Sequence, residues 1–467
     1  VTPADRRRFP DPTPEPAVHA ELPDDALLVF LSDVHIGGAA GVEIFDSAAE
    51  LVALLEDLGR HRGPVELVLV GDFVDLLRMG DPGDGEDLLA ATLARPEYRE
   101  LFATLRAFAG DDGHRVVYVV GNHDAELWWN PRARRPLQEA GLVETFALSY
   151  SAAFASLPDQ LIYCEHGNQL DPTNTVADYA NPLDTPVGAH VVTEVVRPIG
   201  SGAAITRSVD LRDVSYVFPL AAIPRWIAGR IFYQFLGQVL RWLLAPLIVA
   251  YAAYEALVAV ARPFGRSLGL RPLFLELAYI LALLMVAFAA LFLVSRRTTA
   301  RAVSAMPSRY PGQAAGREPY REDLAIRQLL EQDRPPPMAG TTARLELAVF
   351  VSGHTHAPAI STLVRADGRA TVIVNTGCWL RQLQPVDALL GAPPVFVPAF
   401  VQSHVRARSS PEGVTVELWD QPKPAGRRLP WIERAAIAGR MPPQASPAAR
   451  PRLLARQVAA SPAAGRS

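Results

Sequence analysis

Three observations predict a layered α/β fold interrupted by a hydrophobic helical insert. Apolar runs of strand length alternate with segments of helical periodicity, short polar motifs follow those runs, and a 22-residue stretch, Leu273–Val294, carries a single charge, Glu276. The first run, Leu27–Leu31, reads LLVFL and predicts a strand buried on both faces. Ala48–Arg60 repeats its leucines at helical spacing, Leu67–Val70 is a second strand, Tyr98–Phe108 a helix and Val116–Val120 a third strand. Further strands are predicted at Leu161–Cys164, Leu347–Val351, Thr371–Val374, Val395–Val401 and Val414–Leu418. Residues 1–25 are rich in proline and charge without apolar periodicity, so they are expected to be a disordered leader. The Ala/Pro/Arg segment 427–467 is expected to be a disordered tail with at most one short helix near Leu453. Residues 26–196 and 343–426 are then two parts of one catalytic domain, separated by an insert at 197–301 and a linker at 302–342.

The insert is the strongest departure from a soluble pattern. A helix of 22 residues spans about 33 Å, the thickness of a bilayer core. Trp242–Ala261 is a second, weaker apolar segment carrying Pro246 and Glu255, and Trp226–Val239 mixes aromatics with Arg230 in the manner of an interfacial helix. α/β segments lie on both sides of the insert and must share a compartment, so the expectation is a membrane hairpin or a shallow monotopic insertion. A buried helical insert or a dimer interface is the bland alternative. Arg225, Arg230, Arg241, Arg296, Arg297 and Arg301 flank the apolar segments, against Arg262, Arg266 and Arg271 between them. That modest excess places the catalytic domain on the cytoplasmic side. No charged start followed by an apolar run marks a cleaved signal peptide.

Composition narrows the function without naming it. Lys+Arg 45 against Asp+Glu 49 gives a net charge of -4, which argues against a nucleic-acid partner held by bulk positive charge. Cys164 and Cys378 are the only cysteines, which excludes a disulfide scaffold and a cysteine-cluster zinc site. Mean hydropathy is +0.12, slightly apolar for a soluble protein and concentrated in the insert.

Five motifs fall at the ends of predicted strands: Asp33-Val-His35, Gly71-Asp72-Phe-Val-Asp75, Gly121-Asn122-His123-Asp124, His166-Gly167-Asn168 and Gly353-His354-Thr355-His356. Strand C-terminal ends are where open α/β sheets place ligands. A single Asp-X-His is weak, and a lone histidine is usually a surface or satisfied core residue. Five of the ten histidines gathered at strand ends with Asp and Asn form a stronger pattern. Imidazole and carboxylate suit manganese, iron or zinc, and about seven ligands suit two adjacent ions better than one tetrahedral site.

In this order the motifs resemble the calcineurin-like metallophosphoesterase superfamily. The resemblance implies a four-layer αββα sandwich with two mixed sheets and a dinuclear centre. It implies that Asp33, His35 and His356 bind one metal, that Asn122, His166 and His354 bind the other, and that Asp72 bridges them. It makes His123 the non-ligand histidine that stabilises charge or protonates the leaving oxygen, with Asp124 either orienting it or capping its own loop. The implied cofactors are two divalent ions, manganese first and iron or zinc as alternatives. Asp75 is a supporting residue or a helix cap, Cys164 and Cys378 are packing residues, and Arg132, Arg134 and Arg135 either reach an anionic substrate or belong to a solvated helix face, the second being the ordinary reading. Bacterial hydrolases of UDP-diacylglucosamine are similar in carrying a helical lipid-binding insertion in this part of the chain, and their histidine motifs resemble EHGNQLDPTN and GHTHAP. The expected activity is therefore that of a membrane-associated, metal-dependent phosphohydrolase. Its substrate would be a phosphoester or pyrophosphate on a lipid-linked or amphiphilic molecule, attacked by metal-activated hydroxide. The alternatives are a tethered enzyme acting on a soluble nucleotide or phosphoprotein, and a non-catalytic membrane scaffold.

Overall fold

The computed structural model describes residues 14–39, 42–200, 212–217, 222–261, 269–283, 286, 322–332, 334–339, 346–364, 368–424, 429–438, 440 and 450–460. The core strands are β1 (Glu15–Leu22), β2 (Leu27–Leu31), β3 (Val65–Val70), β4 (His114–Val119), β5 (Thr145–Phe154) and β6 (Leu157–Glu165). After the insert come β7 (Leu347–Ser352), β8 (Ala359–Val364), β9 (Ala370–Asn375), β10 (Trp379–Val386), β11 (Val395–Arg408), β12 (Gly413–Asp420) and β13 (Arg452–Ala460). They follow the order β13-β12-β11-β2-β3-β4-β5-β6-β7-β9-β8, with β1 added on β5 and β10 on β11.

Alternation along the strands decides the layering. Leu28, Phe30, Val68, Val70, Val117 and Val119 share one core with Ile162, Cys164, Val349, Val351, Val372 and Val374, so the two halves of the path pack face to face. Val29, Leu31, Leu67, Leu69 and Tyr118 point the other way, under the helices Ala48–Leu58 and Arg99–Ala109. On the opposite outside, Tyr163, Phe350 and Ile373 lie under Ile326, Leu329 and Leu330 of the helix Glu322–Glu331. The result is the expected αββα order of layers. The two sheets are nevertheless one hydrogen-bonded path, because the ten-residue β5 pairs with β4 through Thr145–Ala147 and with β6 through Ser149–Phe154.

Both terminal expectations and the linker are corrected within their described parts. Residues 15–22 form a strand parallel to β5, burying Val18, Ala20 and Leu22 on alternate positions. Alanine and Pro16 weaken that alternation in sequence, and the partner strand supplies the pairing that makes it a strand. Arg452–Ala460 pairs antiparallel with β12 instead of forming a helix, and Trp431–Ala436 is a short helix whose Ile432 packs with Val395 and Val397. The helix Glu322–Glu331 lies inside the expected linker. Residues 1–13, 302–321, 333, 340–342, 427–428, 439, 441–449 and 461–467 of those segments lie outside the described residues.

In the insert, one helix runs continuously over Ile223–Ala261, 39 residues. At about 1.5 Å per residue it is nearly 60 Å long. Its first half docks on the catalytic domain: Ile223 and Trp226 pack with Val214, Val217, Leu383 and Phe396. Tyr233 packs with Val395 and Val397 and donates its hydroxyl to Pro393 O at 2.6 Å. The stretch expected to lie along a membrane interface thus forms a seam within the chain, because Trp226 and Tyr233 pack against β10 and β11 while Phe235 stays exposed. The second half projects, with Trp242, Ile248, Val249, Leu257 and Val260 exposed. Its most apolar window has mean hydropathy 2.0 and is 6% buried. A further helical stretch begins at Arg271 and turns back: Arg271 pairs with Glu255 at 2.9 Å, and the Phe274 ring lies 5.5 Å from Tyr251 and Tyr254. Residues 284–285 and 287–294 of the 22-residue apolar stretch lie outside the described residues.

Candidate metal centre

The parallel strands β2, β3 and β4 lie side by side, as do β6 and β7, so the loops after all five emerge at one rim. Every sequence-predicted ligand sits on those loops. Asp33, His35, Asp72, His354 and His356 all have φ between 51° and 66°, the left-handed region. Among the described residues only Ala438 shares that conformation outside the glycines. Such backbone costs about 1–2 kcal/mol per non-glycine residue and persists only where surroundings fix it. Here it turns each side chain inward, back over the strand ends.

Three of these side chains converge at one point. His356 Nε2 lies 3.1 Å from Asp33 Oδ1, His35 Nε2 lies 3.3 Å from His356 Nε2, and His35 Nε2 is 3.8 Å from Asp33 Oδ1. Asp72 and His166 form the adjoining group with Asp33, His166 Nε2 being 3.2 Å from Asp72 Oδ2. His354 approaches the same side, its ring 5.4 Å from that of His166, and its backbone N–H donates to Asp33 Oδ2 at 2.9 Å. Asn122 is buried beside them, and its Oδ1 has no hydrogen-bond partner.

Backbone packing requires glycine next to these ligands. A Cβ on Gly121 would collide with Asp72 Oδ1, and one on Gly353 would stand 2.6 Å from Asp33 Oδ2. These two glycines let the Asn122 and His354 loops close on the carboxylates.

The groups behind the ligands fix their ring nitrogens. His166 Nδ1 donates to Val70 O at 2.8 Å, which leaves Nε2 facing the acids. Asp75 takes His35 Nδ1 at 2.8 Å on Oδ2 and His123 Nδ1 at 2.9 Å on Oδ1. Arg78 Nε lies 2.9 Å from the same Asp75 Oδ2, and the Arg78 backbone N–H donates to Oδ1 at 3.1 Å. Asp75 is therefore both the helix cap and the residue that orients two histidines, roles that sequence alone left as alternatives. On the far side, Asp171 Oδ2 holds His354 Nε2 at 3.1 Å and turns its other nitrogen away from itself.

Burial penalises each charge in this cluster; it prevails at His35, whose pKa it lowers, while opposite charges prevail at Asp72, Asp75, His123 and His166. Asp72 and Asp33 push His166 up to about 10 against that penalty. His166 and His123 hold the Asp72 carboxyl well below the ordinary carboxylate range despite its complete burial. His123 and His35 do the same for Asp75. Buried acids that draw protons onto His123 and His166 make a centre that favours positive charge, which divalent ions supply. The buried, unbonded Asn122 Oδ1 and the mixed oxygen and nitrogen donors fit such ions.

The family model for calcineurin-like phosphoesterases matches residues 26–189. That segment holds Asp33, His35, Asp72, Asn122, His123 and His166, five of which meet in the groups just described. Residues 26–189 belong to the calcineurin-like phosphoesterase family. The chain is a metal-dependent phosphoesterase, and His354 and His356, on the loop after β7, lie outside the matched segment. Among solved structures, a conserved uncharacterized protein from Streptococcus pneumoniae TIGR4, described as a predicted phosphoesterase, is similar at 8% identity. The alignment covers 85% of this chain and 89% of that one with a TM-score of 0.24, too loose a likeness to argue from. No curated protein matches the chain.

Around the phosphoesterase site, one expected role is corrected. Asp124 does not touch His123: its Oδ2 accepts from the Tyr118 hydroxyl at 2.5 Å and its Oδ1 from the Gly121 N–H at 2.6 Å. Burial, reinforced by Asp72, raises its pKa to about 7. Asp124 clamps the Gly121–Asp124 loop, and Asp75 performs the orienting role. Arg134 donates to the carbonyls of Leu127 and Trp128, and Arg135 pairs with Glu86, so neither reaches the centre. Cys378 is buried with its sulfur 3.9 Å from His356 O, and burial followed by Asp33 raises its pKa, which leaves it a packing residue. Sequence reasoning missed Asp171, although it stands in the quoted EHGNQLDPTN. Its partner His354 is 183 residues away, so no local spacing marks the pair.

Proposed function

We propose that this phosphoesterase hydrolyses a phosphoester of an amphiphilic, lipid-linked substrate at the surface of a membrane. Asp33, His35 and His356 would hold one divalent ion and Asn122, His166 and His354 the other, with Asp72 shared between them and manganese the preferred metal. Convergence of the Asp33–His35–His356 and Asp33–Asp72–His166 groups carries the catalytic part of this reading. When bound, two such ions neutralise the phosphate and lower the pKa of an attacking water.

The chain's own residues do the rest. His35 and His166 are held in the tautomers that present Nε2, by Asp75 and Val70 O respectively. His123, partly exposed at the rim and fixed through Nδ1, donates a proton to the leaving oxygen as the phosphorus–oxygen bond breaks and water forms the new bond. A proton from the water restores His123, so the products are the free alcohol and phosphate.

Support for the membrane comes from the projecting half of Ile223–Ala261, whose large apolar side chains face outward over a length that protein surfaces rarely expose. A helical hairpin with the catalytic domain on the cytoplasmic side is the arrangement proposed. A pyrophosphate-bonded lipid head group is the alternative substrate, and a soluble nucleotide with the hairpin as a tether is the second. The test assays the full-length detergent-extracted protein with Mn²⁺ on lipid phosphates, nucleotide-diphospho lipids and cyclic nucleotides, alongside flotation with liposomes. Turnover highest on a lipid substrate together with flotation supports the reading. Turnover confined to soluble substrates, or protein that stays at the bottom of the gradient, overturns it.

A further inference from the structure

An open cleft runs from the metal centre between the short helix Leu76–Met79 and the segment 176–189, with Asn122 and His123 at its inner end. Leu76, Leu77, Trp129, Val176, Tyr179 and Ala189 give it apolar walls. The Tyr179 hydroxyl donates to Asn168 Oδ1 at 3.1 Å, so the tyrosine offers the cleft its ring. Among the described residues neither arginine nor lysine lines it, and Arg197, which donates to Gly80 O at 2.8 Å, also pairs with Asp81. Its two carboxylates are committed elsewhere: Glu126 accepts from the Gly83 and Gly85 N–H groups, both at 3.0 Å, and Asp184 from the Asp178 N–H at 2.7 Å. From Ala189 the chain continues through Val192 to Val196, and Val196 packs with Ile223 and Trp226 at the root of the projecting helix.

We infer that this cleft is the leaving-group subsite and that it takes an uncharged, apolar alcohol. The inference rests on the proposed reaction, because His123 stands at the cleft's inner end and that is where the departing oxygen must be when it receives a proton. Apolar walls reward burial of hydrocarbon at roughly 0.8 kcal/mol per methylene, which is about a fourfold gain in binding for each carbon. Beyond His123 the described lining offers acidic side chains and no arginine or lysine, which disfavours a second phosphate or a carboxylate there. A phosphoester of an alkyl or aryl alcohol fits, and a pyrophosphate whose leaving group is itself a phosphate does not. Continuity of the cleft wall with the projecting helix gives such a group a route from a lipid surface.

The experiment uses water-soluble esters, so that membrane binding plays no part. Methyl, butyl and hexyl phosphate are compared with 3-carboxypropyl phosphate as substrates of the metal-loaded full chain. Binding of the matching non-hydrolysable phosphonates is followed by calorimetry, which reads the cleft even if turnover is slow. The expected result is kcat/KM and affinity rising several-fold per methylene, with the carboxylate-ended ester at least tenfold behind butyl phosphate. Ala189→Phe, which fills the cleft, and Leu77→Ser, which makes its wall polar, each flatten that rise. A series that is flat in wild type, or that rises equally in both variants, overturns the inference. Flat binding with normal turnover leaves the hydrolytic reading standing, whereas graded binding of phosphonates without any turnover supports the cleft and counts against that reading.

Discussion

Replacing Asp75 by asparagine tests how the site is assembled. The carboxylate faces three groups at once: His35 Nδ1 at 2.8 Å, His123 Nδ1 at 2.9 Å and Arg78 Nε at 2.9 Å. Asparagine keeps the shape, but its amide nitrogen cannot accept from an imidazole N–H, so at least one histidine loses its anchor. Arg78, 1% exposed, is left buried without its counter-charge. Breaking a buried pair from one side costs about 3–5 kcal/mol, so the variant is expected to melt lower. For catalysis, loss of a partner behind a metal ligand is worth about 10–100-fold, and loss of an oriented general acid about 100-fold or more. The two contributions are separable with aryl phosphate monoesters of graded leaving-group acidity. If Asp75 holds His123 as the proton donor, kcat falls about 100-fold for poor leaving groups and much less for good ones. Adding Arg78→Met recovers stability without recovering that slope. An equal loss across the whole series would refute the general-acid assignment, and full activity in the single variant would refute the positioning argument.

Other perturbations follow from the same geometry. Gly121→Ala drives a Cβ into Asp72 Oδ1 and should lower metal content and activity together while the circular dichroism spectrum stays native; unchanged metal binding would count against the close approach. Trp226→Ala removes a buried ring from the seam between the projecting helix and β11, and should cost about 3–5 kcal/mol in a thermal or denaturant melt. A change below about 1 kcal/mol would mean that the helix is not docked there. Glu165 is buried beside His166, and burial raises its pKa to about 7 from 4.5, so the fold favours its neutral form. Its contribution is complete below pH 4.5 and lost as pH rises through about 7, a change of about 2–3 kcal/mol between pH 5 and 8. Glu165→Gln cannot titrate, so its stability relative to wild type, measured by denaturant unfolding at fixed metal, should improve by that amount from pH 5 to 8. A difference independent of pH would refute the burial argument.

Much of the catalytic fold was legible because it is written in local patterns. The strands β2, β3 and β7 hold apolar runs, Leu27–Leu31, Leu67–Val70 and Leu347–Val351, and all five motifs sit on the loops after them and after β4 and β6. What was illegible depends on partners distant in sequence. β1 and β13 are mediocre strands alone and acquire their pairing from β5 and β12. Asp171 and Asp75 take their functional meaning from His354 and from the pair His35 and His123, which no spacing rule connects. The segment Trp226–Val239 reads as amphipathic in sequence whether its apolar face meets lipid or protein, and only the fold places Trp226 and Tyr233 against β11.

The central claim is a dinuclear metal centre that hydrolyses phosphoesters. The most direct test is elemental analysis of the purified chain during titration with Mn²⁺, with turnover measured at each point. Activity should rise to a plateau at two ions per chain and disappear in Asp72→Ala, which loses the shared carboxylate. Turnover that persists in metal-stripped protein, or full activity at a single equivalent, would contradict it.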